Sequence, residues 1–161
     1  MEINTFLEHD EKDTQNVKQA KTLYKAFTER DKETIAKLLV DDPVWNVSPG
    51  FPDGGVYRGM AEVFGSFYAK LRSRFKSFSA IPETFIDGGD VVTVLGFYKF
   101  EKDEEDSFRL VRFAHTWKIN IDGRIKGVWQ VADSAQFITS FESILNQRLP
   151  SAKIEKKGKN T

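Results

Sequence analysis

The chain holds 161 residues, no cysteine, and 24 basic against 24 acidic side chains. A chain near 150 residues buries roughly 70% of its unfolded surface, so this length supports one domain with a core of its own. Zero net charge argues against a binder that neutralises nucleic-acid phosphates, no apolar run reaches the ~20 residues of a membrane span, and absent cysteine suits a cytoplasmic protein.

Residues 1–13 form an acidic leader, with Glu2, Glu8, Asp10, Glu11 and Asp13 against Lys12. It lacks the apolar core of a signal peptide and is expected to be flexible. One domain over 14–149 follows. Thr14 is placed to cap a helix whose stripe is Val17, Ala20, Tyr24 and Phe27, at i, i+3, i+7 and i+10. Asp31 opens a second short helix through Leu39, which Asp42-Pro43 is expected to end.

Val44 to Val47 reads as a short strand, and Ser48 to Gly55 as a loop. The loop's glycine spacing matches neither phosphate-binding fingerprint. A third helix, Met60–Arg74, carries Val63, Phe64, Phe67, Tyr68 and Leu71 on one face.

From Phe75 onward the pattern is a meander with strands at 75–87, 91–100, 107–121 and 124–132. Gly88-Gly89-Asp90 and Asp122-Gly123 supply turn chemistry, and Glu101 to Asp106 is a charged hairpin tip. After Asp133 the helical spacing returns with Ala135, Phe137, Ile138, Phe141, Ile144 and Leu145 until Pro150. Residues 150–161 form a Lys-rich tail expected to be flexible. Helices followed by long antiparallel strands and a closing helix give an α+β class, a curved sheet wrapped as a cone around the front helices. The mouth of such a cone is a natural ligand site.

The composition includes 14 Phe, 4 Tyr and 3 Trp. These aromatics fill a large core or line an apolar pocket. Along 107–121, alternation puts Val111, Phe113, His115, Trp117, Ile119 and Ile121 on one face. A three-residue turn, Ile121-Asp122-Gly123, with Gly123 in the left-handed position, carries that face into Ile125, Trp129 and Val131. In this register His115 pairs with Trp129, and Asp133 lies opposite Val111 on the same face. A histidine and an aspartate in an aromatic interior are the ingredients of acid–base chemistry. Two plainer roles stand beside that one: His115 as a core residue bonded to a carbonyl, and Asp133 as the N-cap of the last helix. Only His9 and His115 could supply imidazole, and no metal-ligand spacing appears, so neither metal nor cofactor is expected.

Several segments in fixed order resemble the nuclear transport factor 2-like superfamily, and within it the SnoaL-like, ketosteroid-isomerase-related proteins. They are Leu23 to Phe27 with Asp31, Val44 to Val47 leading to Gly55 to Gly59, Phe113 to Trp117, Asp122 to Ile125, and Trp129 to Ser134. The resemblance spans 15–147. It implies a cystatin-like cone, a hydrophobic pocket and a homodimer through the outer sheet. It does not carry the steroid isomerase mechanism, which uses an Asp base with Tyr and protonated Asp donors. The base position falls at Val47 or Asn46, the Tyr donor at Leu23 beside Tyr24, and the Asp donor at His115. SnoaL-like cyclases resemble the later strands more closely; they imply an acid/base Asp and a His, for which Asp133 and His115 are the candidates. Gln130 occupies the other position where the Asp could fall.

Three functions follow as expectations. The first is a cofactor-independent isomerase, cyclase or hydratase acting on a hydrophobic carbonyl compound through His115 and Asp133. The second is a non-catalytic binder of a small hydrophobic molecule. The third is a dimeric association module with a filled cone. In the first two, Trp45, Tyr57, Phe64, Phe97, Phe113, Trp117 and Trp129 line the pocket.

Overall fold

A computed structural model of the chain describes residues 6–103 and 107–138. Helix α1, Gln15–Glu29, starts where expected: the Thr14 hydroxyl accepts from the Val17 amide at 3.3 Å. It ends at Arg30, whose φ of 58° is left-handed. Asp31 then caps α2, Lys32–Leu38, by accepting from the Thr34 amide at 3.0 Å.

Helix α2 stops earlier than Asp42-Pro43. Strand β1, Leu39–Val47, begins at once and takes the proline inside it. Pro43 is buried where β1 slips against β6, between the pairs Leu39↔Ile125 and Val44↔Gly127. A residue without an N–H is tolerated where the ladder is already broken. A second strand that the loop reading missed, β2 (Gly55–Arg58), pairs antiparallel with β1.

The third helix runs as α3 (Gly59–Glu62), a π turn (Val63–Phe67) and α4 (Tyr68–Arg74). The wider turn sets Phe64, Phe67 and Tyr68 side by side, with Tyr68 5.4 Å from Phe64 and 5.1 Å from Phe67 between ring centroids. Then come β3 (Ser77–Asp87), β4 (Val91–Glu101), β5 (Arg109–Ile119) and β6 (Ile125–Ala132). The sheet order is β2-β1-β6-β5-β4-β3. β1 and β6 run parallel and the other pairs antiparallel, so the expected antiparallel sheet is mixed at one junction. The sheet curves around the helices without closing, an α+β architecture. Its inner face and α1 share a core that includes Leu23, Trp45, Val92, Val94, Phe100 and Ile125.

The β5–β6 register corrects the sequence reading. The turn is the expected one: Gly123 has φ +83°, Asn120 bonds Arg124, and Ile119 faces Ile125. One step later β6 carries an extra residue, and Lys118 faces Gly127. That bulge reverses the alternation. Val128 and Gln130 turn inward, while Trp129 and Val131 turn out, at 58% and 53% exposure. His115 therefore pairs with Gln130, and Trp129 with Thr116. The neighbour strand lies close at the bulge: a Cβ at Gly127 would sit 2.4 Å from the Val44 carbonyl oxygen. Only the glycine lets β1 lie beside β6 at this point.

Part of the acidic leader packs onto the domain. Leu7 is buried, and the Lys21 ammonium ties the leader to α1 through the Glu8 carbonyl at 2.9 Å and the Asp13 carboxylate at 2.7 Å. Glu2, the tip residues Glu104 to Asp106, the helix positions Phe141, Ile144 and Leu145, Pro150 and the Lys-rich tail lie outside the described residues. Among the described residues, no helix is long and apolar enough to cross a membrane.

Candidate functional site

Alternation along β5 carries His115 to the middle of the inner face, where its side chain is buried. Two tyrosines meet it. Tyr24 comes from the buried stripe of α1, and its hydroxyl lies 2.6 Å from His115 Nδ1. Tyr98 comes from the inner face of β4, and its hydroxyl lies 2.5 Å from Nε2. Gly96 lies opposite Phe113. A Cβ there would stand 2.2 Å from the Ile81 carbonyl oxygen and 2.9 Å from the Phe113 ring, so the glycine leaves room for Phe113 against the cluster. Phe113 stacks on the imidazole with centroids 4.0 Å apart and lies 4.7 Å from the Tyr98 ring.

The polar chain extends at both ends. The Trp117 indole N–H donates to the Tyr24 oxygen at 3.1 Å. The Gln130 amide donates to the Tyr98 oxygen at 3.0 Å, and its own oxygen accepts from the Ser48 amide at 3.1 Å. Trp117, Tyr24, His115, Tyr98, Gln130 and Ser48 thus form one line of hydrogen bonds through an aromatic interior. A buried polar group is costly unless bonded, and every member here has a partner.

Burial governs the charge states. It pushes the His115 pKa down to about 3, so the imidazole is neutral at pH 7. It pushes the Tyr24 and Tyr98 hydroxyls well above their ordinary range, so both keep their protons. A general acid or base works best with a pKa near the operating pH. These three groups move away from it. The cluster is suited to giving and receiving hydrogen bonds rather than to moving a proton.

The other expected site residues divide. Trp45 is buried, donates to the Tyr68 hydroxyl at 3.2 Å and meets Trp117 edge-on. Phe64 is half-buried against Trp45, Phe27 and Tyr68. Tyr57 is half-buried against Phe67 and donates to the Asp53 carbonyl. Phe97 lies on the other side of the sheet from Tyr98, paired with Arg112, whose guanidinium covers its ring at 4.3 Å. Trp129 is also outside, beneath the Lys118 ammonium at 5.2 Å. Asp133 does not join His115. It is exposed, its amide bonds the Arg112 carbonyl, and its carboxylate accepts from Gln136 at 2.7 Å. It stands just before the helix that begins at 134, the N-cap position. The bulge explains the separation, because it sets Phe113 opposite Ala132 and Asp133 beside Arg112.

Tyr98 is the residue that sequence reasoning missed. Its signal is the alternation of β4, which puts Tyr98 on one face with Val92, Val94 and Phe100. Among the cavities bordered by the described residues are two that His115 does not line. One of about 460 Å³ lies between the leader and β3, lined by Phe6, Glu8, Lys21 and Phe85 among others. One of about 170 Å³ lies between the Ser48–Gly54 loop and the last described helix, lined by Phe51, Phe137, Asp53 and Arg74 among others. Phe51 and Phe137 also cover Tyr98, with centroids at 5.3 and 6.1 Å. Among the described residues, no group of three or more His, Cys, Asp or Glu side chains could hold a metal ion.

A curved mixed sheet around an N-terminal helix, with polar side chains buried in an aromatic cone, defines a cystatin-like α+β protein. The family model for the SnoaL-like domain matches residues 20–128, and the chain belongs to that family. No curated protein matches the sequence. Solved structures share the fold. A nuclear transport factor 2-like protein of unknown function from Burkholderia pseudomallei is 24% identical, with 79% of this chain and 97% of that one covered and a TM-score of 0.70. TerC, co-crystallised with polyporic acid, is 24% identical over 80% of this chain and 99% of its own, with a TM-score of 0.71. A protein of unknown function with a cystatin-like fold from Xanthomonas campestris is 21% identical over 76% and 94%, with a TM-score of 0.66.

Proposed function

We propose that this SnoaL-like protein binds a small hydrophobic molecule in its cone, with the His115 chain as the polar contact, and without acid–base turnover by His115 and Asp133. One observation carries the reading: a line of hydrogen-bonding side chains from Ser48 to Trp117 crosses an interior otherwise walled by aromatic rings. An apolar site with a few convergent polar groups is the usual form of a small-molecule site. The described cavity beside Phe51 and Phe137, about 170 Å³, adds support. It is close to the 150 Å³ or so that admits a single aromatic ring, and the two phenylalanines are the side chains a larger ligand would displace. TerC, which shares the fold, was co-crystallised with polyporic acid. The depressed His115 pKa and the exposure of Asp133 argue against the catalytic pair.

The test is a thermal-shift screen against steroids, polycyclic aromatics and polyketide-like ketones. A ligand at 100 times its dissociation constant adds about 2.7 kcal/mol, which raises the melting temperature by roughly 5 to 10 °C for a domain of this size. No shift across the panel, with the protein folded, removes the reading.

A second reading concerns association. Leu95, Leu110, Trp129 and Val131 are exposed on the outer sheet face, and Leu95, Ala114 and Val131 form one row across three strands. A large exposed apolar patch marks an interaction site. The occupant proposed is a second copy of the chain, and sedimentation velocity at micromolar protein decides it: a monomer at every concentration excludes this face as a dimer interface.

A further inference from the structure

We infer that the cavity beside Phe51 and Phe137 takes a small aromatic carboxylate, with its ring against the two phenylalanines and its charge on the Arg74 guanidinium. The inference rests on the ligand-binding reading and names a class of ligand and the residue that selects it.

The sequence puts a basic run, Lys70, Arg72, Arg74 and Lys76, at the end of α4. Arg74 is the member of that run that lines the cavity, beside Phe51, Pro52, Phe137 and Ile138. Its one partner among the described residues is Asp53: Nε donates to Oδ2 at 2.5 Å and Nη2 to Oδ1 at 2.7 Å. A guanidinium has five N–H donors. Two are used here, and the other three, two on Nη1 and one on Nη2, meet no acceptor among the described residues. Nη1 and Nη2 share the edge of the fork that takes a carboxylate end-on, through two parallel bonds.

Asp53 is itself held in place. Its φ is 57°, its carbonyl accepts from the Tyr57 hydroxyl at 2.6 Å, and its side chain is 16% exposed. One edge of Arg74 is therefore fixed before a ligand arrives, and less side-chain freedom is lost when the other edge binds. The charges agree with an anion. Asp53 is the only acid lining the cavity, and Lys70 acts on it together with Arg74. Two cations thus stand against one carboxylate, and a second carboxylate completes the balance where a neutral amide does not. The volume sets the size of the body. At about 170 Å³ the cavity admits one aromatic ring, and a larger ligand with the same head reaches Tyr98 by displacing Phe51 or Phe137.

The probes are benzoate, benzamide and toluene, which share one ring and differ in the head group. Each is titrated into the isotope-labelled full-length protein and followed by NMR. The expected result is that benzoate binds at least about fivefold more tightly than benzamide, and that it shifts the Arg74 Nε–H and the amides of Gly54 and Phe137. Arg74→Gln removes the preference while toluene still binds. Asp53→Asn keeps an oxygen for Arg74 and removes the competing charge, so this variant binds benzoate about twofold tighter or more. It also keeps the test decisive if Arg74→Gln does not fold. Equal affinity of the wild type for benzoate and benzamide, shifts confined to other surfaces, or no tightening in Asp53→Asn overturns the inference. Toluene bound in the cavity with no preference for benzoate leaves the ligand-binding reading in place. If none of the three binds up to its solubility, the inference falls and the reading stands or falls on its own thermal-shift panel.

Discussion

Tyr24 and Tyr98 grip opposite nitrogens of one imidazole, at 2.6 and 2.5 Å, from a helix and a strand that are 74 positions apart in sequence (98 less 24). The clamp joins α1 to the sheet through His115. It also removes the ring from water, and this makes the domain sensitive to acid.

In the folded chain His115 has a pKa of about 3, below the free value of 6.5. The unfolded chain therefore binds a proton that the folded chain refuses. Stability is full above about pH 6.5 and falls as the pH drops towards 3, at about 1.4 kcal/mol per unit. At pH 4.5 the loss is roughly 3 kcal/mol. Asp53, held below its usual range by the Arg74 guanidinium, adds to the loss only below about pH 4. Urea unfolding at pH 7 and 4.5 checks this, with His115→Gln as the control. If wild type and variant lose equal stability between the two pH values, His115 is not the group responsible.

Gly127 is required by the approach of β1, since a Cβ would stand 2.4 Å from the Val44 carbonyl oxygen. Gly127→Ala must push two paired strands apart. The expected cost is about 1 to 3 kcal/mol, the range for overpacking, read as a lower melting temperature. An unchanged melting temperature would mean that the β1–β6 junction is looser than described.

Asp31 accepts from both the amide and the hydroxyl of Thr34, at 3.0 and 2.6 Å. Asp31→Ala leaves the first turn of α2 without its cap and costs about 1 kcal/mol. Asp31→Asn should recover most of that, because the amide oxygen still accepts. Denaturant midpoints of the three proteins supply the comparison.

Trp129 is 58% exposed, so Trp129→Lys leaves the fold intact, with a stability change within about 0.5 kcal/mol. If the outer face joins two copies, the same change yields monomer by sedimentation velocity. A variant that stays dimeric while folding normally would place the interface elsewhere.

The helix caps and the limits of β3 to β6 were legible because they depend on neighbours in sequence. Thr14, Asp31 and Gly123 each act within four residues, and each sits where its chemistry indicates. The face of β6 was not legible. Hydrophobic count alone favours Trp129 and Val131 inside and Gln130 outside. One bulge reverses this, at the point where β6 runs beside β1, a strand far away in sequence. Pro43 misled for the same reason: a helix-stopping residue also fits a strand at a break in its ladder. The site was legible in part. His115 follows from alternation, but the pairing that replaces Trp129 with Gln130, and so separates His115 from Asp133, needs the bulge. A polar residue buried where two apolar neighbours are turned out is the kind of local conflict that marks functional surfaces.

The parallel pairing of β1 with β6 also bears on the order in which the domain forms. Residues 44–47 wait for partners at 127–130, so the strand order cannot be completed until nearly all of the described chain has left the ribosome. Closing so long a loop comes before its contacts give any return, and topologies of this kind fold in milliseconds to seconds rather than microseconds. During that interval the β1–β2 hairpin presents an unpaired edge. A nascent chain truncated before residue 125 is expected to be protease-sensitive and to need a chaperone.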